Sequence, residues 1–234
     1  MIEELDIETY LYISTNKFGI YLFNKKNFSN LYKKEVEYKN ETDLINLSEL
    51  EKFLEDNIFK LEKSAGRFIK NIFLIIENNE ITELNLGIKK KNYEKNINKK
   101  FLENILIDGK DLFRENYQSY NIMHILIIRF SENKNYHFSF NELFAADHLC
   151  VEIKFKYISN SFLSEINKIL EKYQIQIKGC MDGSYIKNYF INEQIEFSEM
   201  IYKIQTGINE NEVKLIPKNI KKTAFFEKFF QLFS

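Results

Sequence analysis

The sequence contains no tryptophan, one proline (Pro217), seven glycines and two cysteines among its 234 residues. So few prolines and glycines exclude a collagen-like or low-complexity chain and leave little material for flexible linkers. Cys150 and Cys180 stand alone in apolar surroundings, so no disulfide framework is indicated, and we expect two buried thiols. Hydrophobic residues make up 44% and charged residues 29% of the chain, which is typical of a folded unit.

The chain also lacks an excess of either charge, because 33 basic and 34 acidic side chains leave a net charge of −1. It therefore has no long-range positive field that would attract nucleic acid, and no nucleic-acid partner is expected. Residues 1–6 are acidic, unlike a secretory signal, and no apolar run approaches the roughly 20 residues of a membrane span. These features predict a cytoplasmic protein.

Catalytic motifs are missing as well. The sequence has no glycine-rich phosphate loop, no GxSxG, no HExxH and no CxxC. His124, His137 and His148 are widely spaced, and none has a second ligand at helical or turn spacing. The sequence therefore predicts a protein that is not an enzyme and that holds no metal and no cofactor.

The first third of the chain contains patterns typical of alternating strands and helices. Residues 10–23 form two apolar runs around a polar turn at residues 14–17, which predicts a hairpin. Residues 47–62 follow a 3.6-residue period behind a candidate cap, Asn46, and predict a helix with one buried face. Residues 68–77 contain a nearly continuous apolar run, as expected of a strand covered on both sides.

The rest of the chain repeats these patterns without an internal sequence repeat. Residues 81–88 alternate as a half-buried strand with Leu84, Leu86 and Ile88 on one side. A helix over residues 101–113 is expected to bury Phe101, Ile105, Leu106 and either Leu112 or Phe113. Further strands are predicted at 122–130, 149–158 and 174–179, the last of these as an edge strand, and further helices at 162–173 and 198–206. The order is β-β-α-β, then β-α-β-β-α, then a last strand and helix, which predicts one α/β unit with a second unit inserted in it.

The C-terminal segment has the most distinctive pattern. Five phenylalanines recur at helical spacing over residues 223–233, so that a helix there would carry one aromatic face. These are Phe225, Phe226, Phe229, Phe230 and Phe233, and their basic neighbours are Lys221, Lys222 and Lys228. A terminal amphipathic helix of this kind is typical of an interfacial membrane anchor. The alternative is that the same face packs onto the protein or a second copy of it.

This order of elements resembles FtsA, an actin-like bacterial cell-division protein with an inserted subdomain called 1C. Residues 11–17 lie where FtsA has its first phosphate loop, and residues 61–76 resemble the helix end and strand that lead into 1C. The resemblance implies an α+β or α/β fold: a partial actin-like (ribonuclease H-like) lobe with an inserted β-α-β-β-α subdomain of the 1C type. Its implied parts are subdomain 1A at 1–77, the 1C-like insert at 78–173, a return to 1A at 174–190, and a tail at 191–234 ending in the amphipathic helix.

The sequence also departs from the FtsA pattern. Tyr12 stands where the family has an Asp near the metal, and Ser14 stands where it has a Gly whose backbone approaches phosphate. The second phosphate loop and the adenosine motif have no counterpart after Phe190. The resemblance therefore implies a reduced FtsA that does not bind ATP. Such a protein would be a non-enzymatic adaptor of the division machinery (divisome), peripheral on the inner face of the cell membrane. It could also associate with copies of itself. Its expected partners are division proteins such as an FtsN-like or FtsA-like protein, bound through the 1C-like subdomain.

Three other functions remain open at this point. One is a pilus-assembly scaffold of the PilM type, which shares the lobe and the insert but would be expected to keep its nucleotide site. Another is a small soluble module that binds nucleic acid or protein, although basic and acidic residues are interleaved where base stacking would need a basic groove. The third is an enzyme for a small molecule, which would need a deep cleft with a perturbed acid or histidine.

Overall fold

The computed structural model describes residues 6–38, 44–93, 97–132, 135–140 and 147–214. The chain divides into two compact units. The first consists of Met1–Ile81 and Ile158–Thr206, and the second of Thr82–Tyr157 and Gly207–Ser234. The predicted amphipathic helix at 223–233, with all its phenylalanines and lysines, lies outside the described residues.

The described elements alternate between strands and helices. In the first unit they are β1 (Ile7–Ser14), β2 (Lys17–Asn24), β3 (Ser29–Glu37), α1 (Leu47–Ala65), β4 (Asn71–Glu77), α3 (Asn160–Glu171), β9 (Gln176–Asp182), α4 (Gly183–Tyr189) and α5 (Phe197–Thr206). In the second they are β5 (Thr82–Lys91), α2 (Lys99–Asn116), β6 (Tyr120–Glu132), β7 (Asn135–His137) and β8 (His148–Ser159). The fold class is mixed α+β, as the sequence predicts.

The first unit is built on a five-stranded sheet in the order β3-β2-β1-β4-β9. The β1–β2 and β2–β3 pairs are antiparallel, whereas β1–β4 and β4–β9 are parallel. Three antiparallel strands followed by a helix and two parallel strands are the arrangement expected of a ribonuclease H-like lobe. β9 is the edge strand, as predicted, because the order places it at one end.

Both faces of the central strands are buried. Alternate residues of a strand point to opposite faces, and Tyr10, Tyr12, Tyr21 and Phe23 share one buried cluster with residues of α4 and α5. On the other face Phe18 contacts Phe53 of α1, with ring centroids 5.8 Å apart. Two-sided burial explains why β1, β2 and β4 read as nearly continuous apolar runs.

Strand β3 is absent from the prediction made from sequence. It pairs with β2 along the sheet edge, but most of its residues are partly or fully exposed. An exposed edge strand needs no continuous apolar face, so its sequence carries a weak signal. The short helix α4 and the strand β7 are likewise absent from the prediction.

Helix ends follow the local sequence signals. The Asn46 side chain accepts a hydrogen bond from the Glu49 amide and caps α1, as predicted, and Gly66 ends this helix in the left-handed conformation with φ 66°. The predicted helix at 198–206 is α5, and it is followed by Gly207 with φ 90°. Both glycines have a positive φ, a backbone conformation that residues with a Cβ rarely adopt.

The second unit has a four-stranded sheet in the order β5-β8-β6-β7, and α2 shares one buried cluster with its strands. Phe113 is buried, while Leu112 is exposed, so the structure selects between the two residues left open by the sequence. The segment 209–213 also belongs here, since the Ile127 amide donates to the Asn211 carbonyl and the Val213 amide to the Ile125 carbonyl.

The boundaries of the two units differ from those inferred from the resemblance. The sequence placed residues 78–173 in the insert, whereas α3 lies in the first unit, next to β9. Its buried residues Ile166, Ile169 and Leu170 form an apolar face, and an amphipathic helix joins whichever sheet covers that face. Residues 207–214 likewise belong to the second unit, although the sequence placed them in the tail.

Candidate functional site

The carboxyl ends of the parallel strands are the place to look for a site in the first unit. Ligands of open α/β sheets bind outside the carboxyl ends of the strands. Strands β1, β4 and β9 end here at Ser14, Glu77 and Asp182. The residues that resemble the first phosphate loop of FtsA, 11–17, therefore lie at this edge.

Three side chains form a network there. The Tyr12 hydroxyl donates to Glu77 Oε2 at 2.7 Å, and Lys187 Nζ donates to the Tyr12 hydroxyl at 3.0 Å. Lys187 Nζ also lies 2.5 Å from Glu77 Oε2. Tyr12 is buried, Glu77 is partly buried and Lys187 is exposed. The carboxylate of Glu77 is therefore already paired with one cation and one hydroxyl.

Aromatic rings pack around this network. The rings of Tyr12 and Phe197 meet edge to face with centroids 5.2 Å apart. Lys187 Nζ lies 4.7 Å from the Tyr12 ring centroid and 5.4 Å from that of Phe197. A cation at this distance is attracted by the negative face of an aromatic ring. The lysine is held by its charge partner and by two rings.

The protonation of the network follows from these contacts. Burial raises the pKa of Tyr12 above its ordinary value, so its hydroxyl stays protonated and donates to Glu77. Burial alone would lower the pKa of Lys187, but hydrogen bonds to Glu77 and Tyr12 raise it above its ordinary value. The network is thus a neutral phenol in contact with a carboxylate and an ammonium group that also contact each other.

The turn at Ser14 is closed by its own side chain. The Lys17 amide donates to Ser14 Oγ at 3.0 Å, and the Tyr38 hydroxyl donates to the Ser14 carbonyl at 2.8 Å. The Tyr38 amide donates to the Asn16 carbonyl at 2.9 Å. In the FtsA pattern this turn approaches a phosphate through a glycine, whereas here the Lys17 amide donates to a serine oxygen.

Helix α4 begins directly after β9 ends. Asp182 accepts a hydrogen bond from the Ser184 amide at 2.8 Å and caps α4. Gly183 follows, and a Cβ there would lie 3.2 Å from Ile75 Cγ2 and 3.3 Å from Glu77 Cβ. The glycine therefore allows α4 to begin close to β4, which brings Lys187 within reach of Glu77.

The histidines singled out in the sequence do not form a common site. His124 is buried in the second unit, where its Nδ1 lies 2.7 Å from Glu212 Oε1. His137 belongs to β7, and His148 begins β8. No group of three or more His, Cys, Asp or Glu side chains in the described part of the chain is placed to hold a metal ion.

The two cysteines are free thiols, as expected, and both residues are partly buried. Burial raises the pKa of both Cys150 and Cys180 above the ordinary value. A raised pKa keeps a thiol protonated, and the thiolate is the reactive form. Neither cysteine has the environment of a nucleophile.

Glu77 and Lys187 were not singled out from the sequence. Glu77 ends a predicted strand, and an acidic residue there is ordinary. Lys187 lies in α4, whose seven residues are too few for a clear helical period. Only the departures at Tyr12 and Ser14 pointed to this edge, and they did not indicate which residues Tyr12 contacts. Among the described residues, none of the helices combines the length and the apolar character of a membrane span.

Comparisons with known proteins give similarities at the level of structure. No protein-family model matches the chain, and no curated protein matches it. Solved structures do. A type IV pilus biogenesis complex, PilM-PilN, is 7% identical with a TM-score of 0.47 over 79% of this chain and 49% of that one.

Two further structures are similar to this chain. The cytoplasmic domain of EpsL, an inner membrane component of the type II secretion system of Vibrio cholerae, is 8% identical with a TM-score of 0.36, over 77% of this chain and 57% of that one. A Bacteroides thetaiotaomicron protein with an actin-like ATPase fold is 17% identical with a TM-score of 0.34, over 82% and 59%. The chain spans about half the length of these proteins. Identities this low assign neither an activity nor a partner to it.

Proposed function

We propose that this chain is a non-enzymatic scaffold that binds other proteins and does not turn over a nucleotide. The observation that supports this most directly is the Tyr12–Glu77–Lys187 network at the carboxyl ends of β1 and β4. A nucleotide-bound metal at this edge would need a carboxylate free of a competing cation, since Mg²⁺ sites are built from oxygen ligands. Lys187 is already paired with Glu77. Tyr12 contributes a protonated hydroxyl at the position where the FtsA pattern has an Asp.

The finer proposal is that the scaffold is an adaptor of the cell-division machinery of the FtsA type. On this proposal the second unit contacts a division protein, such as an FtsN-like or FtsA-like partner or another copy of this chain. The segment with Phe225, Phe229 and Phe233 would bind the inner membrane surface, with Lys221, Lys222 and Lys228 facing anionic lipid. The protein would then be cytoplasmic and peripheral on that membrane.

The second candidate is a pilus-assembly scaffold of the PilM type. It shares the predicted lobe and insert, but it was expected to keep a nucleotide site. Because Glu77 is already paired with Lys187, a nucleotide site is disfavoured, but a scaffold role is not. A partner test separates the two: the cytoplasmic end of an FtsN-like protein and the cytoplasmic end of a PilN-like protein are each titrated into the full chain. Binding of only one of them selects the corresponding proposal.

The absence of nucleotide turnover is tested by calorimetric titration of Mg-ATP into the full chain. We expect no saturable heat and no phosphate release above buffer. A matched variant, Lys187→Met, removes the cation that neutralises Glu77 and tells whether this pairing is what prevents binding. Saturable binding by the unaltered chain that is lost with a chelator would contradict the proposal.

Membrane association is tested by fluorescence localisation in the source bacterium, beside a version truncated before Thr223. Signal at the division septum that becomes diffuse on truncation supports the division adaptor. Membrane signal away from the septum supports the anchor but not the division role. Diffuse signal from both versions contradicts the anchor and leaves a scaffold in solution.

A further inference from the structure

A groove lies at the other end of the same parallel strands, within the first unit. Its volume is about 580 Å³, and it is lined by the amino ends of β1 and β4, by Lys178 of β9 and by the loop that follows α1. We call it the basic groove, because its lining includes Lys25, Arg67, Lys70 and Lys178. It is separate from the Tyr12–Glu77–Lys187 network, which lies at the carboxyl ends of these strands.

An irregularity in the sheet places Lys178 in the basic groove. Ile72 pairs with Ile177, but Phe73 pairs with Gly179, so Lys178 is an extra residue between two paired positions. Such bulges are uncommon in parallel sheets and redirect a side chain. A Cβ on Gly179 would lie 3.1 Å from the Phe73 ring. The glycine thus lets β9 approach Phe73, and Lys178 Nζ lies 4.8 Å from the centroid of that ring.

The groove carries a local positive charge in a chain whose net charge is −1. Its four basic residues face one lining carboxylate, Glu8. Glu8 Oε1 lies 3.8 Å from Lys25 Nζ and 3.6 Å from Lys178 Nζ, so one carboxylate is shared by two lysines. Lys25 Nζ also lies 2.5 Å from Asp6 Oδ1 and is therefore already paired, whereas Lys178, at 3.6 Å from Glu8, retains donors for a further anion. Lys70 adds an exposed cation beside them.

An exposed aromatic ring stands next to these cations. Phe68 is 81% exposed, the second highest exposure among the large hydrophobic residues of the described chain. Burying an exposed aromatic side chain is favourable, so an apolar group of a partner that covers Phe68 would strengthen binding. A ligand that fits the groove therefore combines negative charge with an apolar side chain.

We propose that the basic groove binds an acidic peptide segment of a partner protein. Carboxylates of the segment pair with Lys70 and Lys178, and an apolar side chain packs on Phe68. Nucleic acid fits less well, because a continuous phosphate backbone needs a longer track of positive charge, and the chain has no excess of basic residues. The groove lies in the first unit, so this inference stands apart from the proposed partner contacts of the second unit.

The test uses the full chain and fluorescently labelled probes. The first probe is a short peptide of aspartate and glutamate with one phenylalanine and one leucine, and the second has asparagine and glutamine in place of the acids. The third is a single-stranded oligonucleotide. We expect only the first peptide to bind, with an affinity that falls as salt is raised, because exposed charges are screened.

Variants connect the binding to the groove. Lys70→Glu combined with Lys178→Glu is expected to weaken peptide binding by roughly tenfold or more, since like charges in an interface are costly. Phe68→Ala should weaken it several-fold. The control is Lys60→Glu combined with Lys168→Glu, which makes the same change in net charge on exposed helix positions and should leave the affinity within about twofold.

Fold integrity is checked by thermal unfolding, and Lys70→Glu alone serves if the double variant is unstable. Equal weakening in the groove and control variants would overturn the proposal, because it would indicate a general charge effect. The absence of peptide binding would overturn it as well. Oligonucleotide binding that is lost in the groove variants would assign the groove to nucleic acid.

Discussion

Tyr12 and Glu77 are joined by a 2.7 Å hydrogen bond although they lie 65 positions apart in the chain. The parallel pairing of β1 with β4 creates this contact, since Tyr12 is in register with Ile75 and Ser14 with Glu77. The tyrosine that departs from the family pattern is therefore integrated into the sheet edge. Lys187 completes the arrangement from α4.

The first prediction concerns this hydrogen bond. Tyr12→Phe keeps the ring and its contact with Phe197 but removes the hydroxyl from Glu77 and Lys187. We expect the free energy of unfolding to fall by about 1 kcal/mol, the typical net worth of one hydrogen bond. Urea unfolding measures it. Tyr136→Phe, at an exposed ring beside Arg129, is the control and should change stability little. Equal effects of the two substitutions would refute the role given to the hydroxyl.

The second prediction is a pH dependence that arises from Glu35. Burial alone would raise the pKa of this carboxyl, but hydrogen bonds from Lys17 and Tyr21 lower it below its ordinary value. Tyr21 donates at 2.5 Å, and Lys17 lies 2.8 Å away. A depressed folded-state pKa means that the stabilisation is complete above the unfolded value, about 4.3, and is lost as pH falls through the folded value.

The measurement is thermal unfolding at neutral pH and at successively lower pH values. Glu35→Gln should lower the melting temperature at pH 7 and should reduce the further loss on acidification. Glu80→Gln is the matched control, because Glu80 is exposed and makes no ion pair with the described residues. The assignment fails if the pH profile of Glu35→Gln is parallel to that of the unaltered protein.

The third prediction concerns the buried pair of the second unit. His124 Nδ1 lies 2.7 Å from Glu212 Oε1, and both side chains are almost completely buried, while Lys214 lies 3.6 Å from the other carboxylate oxygen. Removing one partner leaves a buried polar group without this hydrogen bond, which costs about 1–3 kcal/mol. Glu212→Ala should therefore be strongly destabilising, and Glu212→Gln less so.

Amide exchange gives a local measure of the same pair. The Ile127 and Val213 amides hydrogen-bond across the contact between 209–213 and β6. In Glu212→Ala these two amides should exchange faster than the amides within β1 and β2. The reason is that the His124–Glu212 contact connects residues 209–213 to β6. Uniform acceleration in both units would indicate global unfolding instead.

The fourth prediction compares two phenylalanines. Phe113 is buried, and its ring stacks on Phe155 and Tyr117, each with centroids 4.9 Å apart, whereas Phe59 is 74% exposed. Phe113→Ala should cost about 3–5 kcal/mol through the cavity it leaves. Phe59→Ala should stay within about 0.5 kcal/mol. Chemical denaturation of both variants measures the difference, and similar losses would contradict the placement of Phe113 in the core.

Sequence patterns predicted most of the elements because burial leaves a periodic trace. The hairpin around residues 14–17, the helix capped by Asn46, and the alternation of Leu84, Leu86 and Ile88 are all confirmed. Strand β3 leaves a weaker trace, since none of its residues is buried. The ends of the inserted unit are also unmarked, because α3 has the same amphipathic pattern whichever sheet it covers.

The sequence by itself determined most of the elements, the order of those elements and the departure from a nucleotide-binding loop at Tyr12 and Ser14. These depend on local periodicity and residue identity, which a linear chain displays directly. Only the tertiary structure decided that Tyr12, Glu77 and Lys187 share one network, and that a bulge directs Lys178 into the basic groove. Both depend on strand register and helix placement between distant segments, and such contacts arise from packing that no short window of sequence encodes.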